Sequence, residues 1–146
     1  MQGWVACGMA RDAWTARLQT GTQGGVSIWP KEEHAPGFEA HGAAAAPLTL
    51  QALARLASLS PGKHLRWLEQ ERTALEEAAG SGLAMAGVAA AALHDLGFTP
   101  EQGELLHLML RLPGAAAHAL EQQSYGFRNF PFFGVELEDD PAKKTA

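Results

Sequence analysis

His107, Arg111 and His118 fall at successive offsets of four and seven residues. At a helical repeat of 3.6 residues these offsets set the three side chains on one stripe. A guanidinium with imidazoles one and two turns away suits a carboxylate-rich ligand. Arginine offers a planar fork of donors that matches carboxylate oxygens, and the imidazoles add further donors. The chemistry implied is recognition rather than bond breaking. A structural reading stands beside it: Arg111 as an ion-pair partner of Glu104 or Glu121.

Such a stripe needs a helix, and the surrounding sequence supplies one. Thr99-Pro100-Glu101-Gln102 reads as a helix start, with Thr99 as N-cap, Pro100 in the first turn and Gln102 reaching back. The helix over 100–112 carries six leucines and methionines around most of its girth, which predicts a largely buried element. Pro113 predicts a bend, with a second helical piece over 114–124. The preceding segment, 83–96, is nearly all alanine outside Leu83, Met85, Val88 and Leu93. Small side chains let helices approach closely, so this segment is expected at the centre, paired antiparallel with the helix that follows.

Earlier in the chain, a helix over 48–59 presents Leu50, Leu53, Ala54 and Ala57 on one face. After the turn Ser60-Pro61-Gly62, a helix over 63–79 points Leu65, Leu68 and Leu75 inward. Its Glu69, Glu71, Arg72, Glu76 and Glu77 read as a solvated face, and Gly80-Ser81-Gly82 ends it. Residues 1–19 have roughly helical spacing, weakened by Gly3 and Gly8, with Trp4 and Trp14 as packing residues. Residues 20–47 are rich in glycine and interrupted by proline, which predicts a loop. The expected fold class is all-α: a multi-helix domain of five or six helices with no sheet beyond incidental bridges.

The run Leu110-Arg111-Leu112-Pro113-Gly114, followed by Ala117-His118-Ala119-Leu120-Glu121-Gln122, resembles the R-x-x-G-x-x-A-H-x-x-E-[QE] signature of the citrate synthases and citryl-CoA lyases. The stretch from Gly87 to Phe98 is similar to the helix and turn before that signature. Ala35-Pro36-Gly37-Phe38 followed by His41 resembles the P-G-F-G-H loop. The resemblance spans about residues 20–134, is strongest over 83–134, and covers only the family's C-terminal part. It implies a fold like the C-terminal part of citrate synthase, a single helical domain over 1–134, and a charged tail over 135–146.

For the site, the resemblance implies that Arg111, His118 and His41 bind a di- or tricarboxylate. It implies a CoA thioester as a possible substrate and no other cofactor. No catalytic residue is assigned. The family's catalytic aspartate, in an N-x-D-G motif, falls on Ala86, which cannot take a proton. Asp95 lies nine residues further on and is expected to point elsewhere. If Gln23-Gly24-Gly25-Val26 corresponds to the family's H-G-G-A motif, glutamine stands where the family has a catalytic histidine. One extra residue separates Phe38 from His41, and the D-P-R that helps bind CoA is absent.

Two functions follow as expectations. One is a degenerate module, non-catalytic alone, with a structural or regulatory role. The other is a subunit of an acyltransferase or lyase of this family, making or cleaving a C–C bond between an acyl-CoA and an oxoacid once a partner chain completes it. The aromatic run Tyr125–Gly134 resembles the family's terminal segment that reaches toward a partner subunit, and five aromatics in ten residues predict an interface. A homodimer or a partner chain is expected.

Composition narrows the rest. A net charge of −5 gives no general basic surface for nucleic acid. No apolar run reaches the length of a membrane span. A lone cysteine, Cys7, and an N-terminus without a secretory pattern point to the cytoplasm. His34 and His41, with Glu32, Glu33 and Glu39, sit on no common element, so no metal site is expected.

Overall fold

A computed structural model describes residues 1–20 and 34–125. Six helices follow in order: α1 (Gln2–Cys7), α2 (Arg11–Thr20), α3 (Pro47–Leu59), α4 (His64–Ala79), α5 (Met85–Asp95) and α6 (Pro100–Tyr125). Among the described residues the only extended pairing is an isolated antiparallel bridge between Phe38 and Leu83. The fold is all-α. Gln23–Val26, Glu32 and Glu33, the aromatic run beyond Tyr125 and the charged tail lie outside the described residues.

The chain divides into two compact units, Met1–Leu108 and a second beginning at Met109. In the first unit, α4 is the hub and packs on α2, α3 and α5. Its Leu65, Leu68 and Leu75 are buried, as their spacing requires. They meet Leu53 and Ala57 of α3 and Val88 and Ala91 of α5, with Trp4, Phe38 and Leu83 closing the same core. Val88 and Ala91 have no exposed surface, so α5 is central. Its small side chains let α3 and α4 come close, and these two helices take up the apolar surface expected to pair with the next helix. Among the described residues of the first unit, α5 does not pack extensively on the part of α6 that belongs to it, 100–108.

Three other expectations are corrected. Glu76 is not on the solvated face; it is 7% exposed, because its carboxylate accepts the Leu83 N–H at 3.0 Å and pairs with Arg72 one turn away. α6 runs unbroken through Pro113. A proline ring removes one backbone donor, and the carbonyl it orphans, on exposed Met109, can turn to water. The start of α6 is not buried either: Leu105, Leu108, Met109, Leu110 and Leu112 are each more than half exposed. An apolar girth predicts burial only if another element covers it.

The helix start at Thr99 is as expected. Gln102 donates its N–H to Thr99 Oγ1 at 3.3 Å, and Thr99 N–H donates to Gln102 Oε1 at 3.0 Å. At the other end of the first unit, the chain breaks at Gly8 into α1 and α2. Arg11 of α2 then pairs with Glu71 of α4.

Candidate functional site

A cleft of about 740 Å³ opens in the first unit, and α1, α2, the 34–38 loop, α5 and the start of α6 contribute to its lining. Backbone hydrogen bonds build one wall. Glu39 N–H donates to the Gly82 carbonyl at 2.7 Å, Ala84 N–H to the Gly37 carbonyl at 3.0 Å, and Gly82 N–H to the Gly42 carbonyl at 2.9 Å. The loop carrying Pro36-Gly37-Phe38 is thereby fastened to the N-terminus of α5. A Cβ on Gly87 would strike the Gly37 carbonyl, so this approach needs glycine. Ala86 is exposed on the wall so formed.

The cleft has an apolar floor that includes Trp14, Phe38 and Leu83, and its polar lining includes Arg17, Glu104 and His107. Its volume lies in the range of small-molecule sites. Among the described residues Arg17 has no hydrogen-bonding or ion-pair partner. His107, for which the sequence resemblance supplies no role, is the one member of the His107/Arg111/His118 stripe on this cleft.

Beside the cleft lies a cluster that sequence reasoning missed. The Asp95 side chain is 0% exposed. It accepts the His64 N–H at 2.9 Å, the Leu65 N–H at 3.1 Å and the Ser60 hydroxyl at 2.8 Å, and it meets His64 Nδ1 at 2.8 Å. Lys63 at the start of α4 supplies no side-chain cap, so the last residue of α5 does it from a distance. Burial alone would raise the Asp95 pKa. The hydrogen bonds from the His64 and Leu65 amides, then from the Ser60 and His64 side chains, outweigh it and hold the carboxyl below its ordinary value.

Ser60, His64 and Asp95 do not form a nucleophilic relay. The Ser60 hydroxyl is spent on Asp95 rather than on the imidazole. The His64 ring stands edge-on to His94, centroids 4.5 Å apart, and Trp4 closes over both. The adjacent pair His94-Asp95 and the uncapped turn before His64 were the signals available in the sequence.

Arg111 and His118 are exposed on α6 in the second unit, and His41 is exposed in the first. Glu121 Oε2 lies 3.8 Å from His118 Nδ1. Arg111 has no ion pair among the described residues, so neither Glu104 nor Glu121 neutralises it. His41 does not line the cleft, though its neighbour Gly42 helps fasten the wall. No group of three or more metal-ligating side chains occurs among the described residues, and none of their helices is long and apolar enough to cross a membrane.

The described residues therefore form an all-α protein with a small-molecule-sized cleft at the head of α5. Comparison with family models, with curated proteins and with solved structures finds no match.

Proposed function

We propose that this chain is a degenerate relative of the citrate synthases and citryl-CoA lyases, non-catalytic alone, that acts as a structural or regulatory module with a second copy or a partner chain. The observation that carries the reading is Ala86. It sits on the wall of the cleft where the resemblance calls for a carboxylate base, and it offers only a methyl group. Asp95 is withdrawn as the cap of α4 and Glu76 is spent on Leu83 and Arg72, while Glu104, which lines the cleft, stands on α6 and not on the helix where the resemblance calls for the base. Absence of a positioned base alone costs a factor of roughly 10² to 10⁴ in rate. Exposed Arg111, unpaired among the described residues, remains available to a di- or tricarboxylate, since binding needs the cation and not the base.

Association is supported by α6. Met109, Leu112, Ala116, Ala119 and Leu120 recur at three- and four-residue spacing and are all exposed. A second reading is an enzyme subunit completed by a partner chain. It is favoured by the cleft itself, whose fastened loop and volume would suit a ligand once a partner supplied the missing base.

Two measurements on the purified chain test the proposal. One is turnover of acetyl-CoA with oxaloacetate and of citryl-CoA. The other is calorimetric binding of citrate, with and without Arg111→Ala. The proposal expects no turnover and allows Arg111-dependent binding; family-like turnover by the isolated chain would overturn it. Turnover appearing only with a second chain would establish the second reading.

A further inference from the structure

We propose that the edge-to-face imidazoles of His64 and His94 form an acid-sensitive latch that holds the N-terminal helical arm, α1 and α2, against α4 and α5. The arm supplies one wall of the cleft, including Trp4, Trp14 and Arg17, so the latch controls access to it. This regulation concerns the cleft itself, and its test needs no assumption about activity or family.

Trp4 is the bolt. It is 4% exposed, and every ring around it is in contact. It stands edge-on to Trp14 at 4.8 Å, to His64 at 5.2 Å and to Trp67 at 5.6 Å, and it stacks on His94 at 6.3 Å with the planes 17° apart. Aromatic edge-to-face and stacked contacts add to the stabilisation from burial. Four helices thus meet at one indole, and two of the rings that receive it are imidazoles, which can take up a proton.

The charges around the pair explain why protonation works against closure. Asp95 of α5 is the carboxylate in contact, and it is committed to His64, Leu65 and Ser60. One imidazolium, on His64, is matched by it. A second, on His94, would lie 4.5 Å from the first with no carboxylate of its own. α1 contributes no charged side chain to offset it, and the Met1 amino group adds a further positive charge. From α2, Arg11 is paired with Glu71 of α4 and Arg17 lines the cleft.

Burial is the larger cause that holds His94 below its ordinary value, and the neighbouring His64 adds to it; Asp95 pulls the other way without prevailing. The C-terminus of α5 would favour a cation at His94, and desolvation outweighs that too. His94 is therefore harder to protonate while the arm is closed, and its protonation favours the open form.

Hydrogen exchange on the full chain between pH 8 and pH 5, corrected for intrinsic rates, tests the latch. Amides of α1 and α2 are expected to lose protection as the pH falls below 6.5, the ordinary histidine value, while α3, α4 and α5 keep theirs. The loss should approach roughly tenfold for each unit separating the His94 pKa in the open and closed forms. His94→Gln should keep the arm protected across the range. Unchanged α1 protection in the native chain would overturn the proposal. So would loss of protection in α1 together with α3, α4 and α5, which is global unfolding, or a transition that persists in His94→Gln. The first two outcomes need no variant.

Discussion

The Asp95 carboxylate touches His64 twice, at the backbone N–H at 2.9 Å and at the ring Nδ1 at 2.8 Å. One side chain at the end of α5 therefore caps α4 and orients an imidazole. Asp95→Ala would leave two helix-end amides, a serine hydroxyl and a ring nitrogen without their acceptor. A lost cap costs about 1 kcal/mol and unsatisfied buried donors add to it, so a destabilisation of about 2–4 kcal/mol is expected by urea denaturation. Asp95→Asn, which keeps one acceptor oxygen, should fall between. Equal stability of the alanine variant and the native chain would refute the cap.

The same carboxylate sets an acid limit. Its pKa is lower in the folded chain than the ordinary 3.8, so the unfolded chain binds the proton more readily. Stability from Asp95 is then fully present above that ordinary value and is lost as pH falls through the folded one. His94, also held below its ordinary 6.5, behaves with the same sign at higher pH: the folded chain loses stability as pH drops from 6.5 through the folded value. Thermal melts from pH 7.5 to pH 3 should show two successive declines in Tm, and Asp95→Asn should remove the lower one.

Gly62 is required by this cap rather than by its turn. A Cβ built there would overlap Asp95 Oδ1 and Cγ. Gly62→Ala should therefore displace the carboxylate and destabilise the chain by about 1–3 kcal/mol. In the background of Asp95→Ala the clash is gone, so the same change should cost much less. A double-mutant cycle reads the difference directly, and additive costs would show that the overlap is relieved some other way.

Local pattern was enough to read the helices from the sequence. The leucine spacing of α4, the alanine run of α5 and the Thr99/Gln102 capping box each carry their own signal within one or two turns. Contacts between distant residues were not legible. Asp95 serves α4 from the other end of α5, at a separation of 31 residues from His64, and no local rule announces a cap supplied from so far away. Glu76 shows the same gap, since its charge reads as solvent-facing until Leu83 N–H is seen to need it. The apolar girth of α6 misled in the other direction. Periodicity records that a surface is greasy and leaves open whether this chain or another covers it.

That exposed surface yields the last prediction. Leu112 and Leu120 of α6 are 63% and 65% exposed, and Met109, Ala116 and Ala119 share their face. Arg111, His118 and Glu121 lie toward the opposite side of the same helix, as the 100° step per residue dictates. A helix with one continuous apolar face gains by burying it against another chain, at about 2 kcal/mol for each leucine. The purified protein is therefore expected to self-associate, or to be recovered with a partner chain, in light scattering across a dilution series. Leu112→Glu together with Leu120→Glu removes about 4 kcal/mol of that burial, which weakens association roughly 10³-fold. Because both side chains are already exposed, the circular dichroism and melting of α1 to α5 should not change. A chain that is monomeric at every concentration, is recovered with no partner and is indifferent to the double substitution would leave this face without an assembly role.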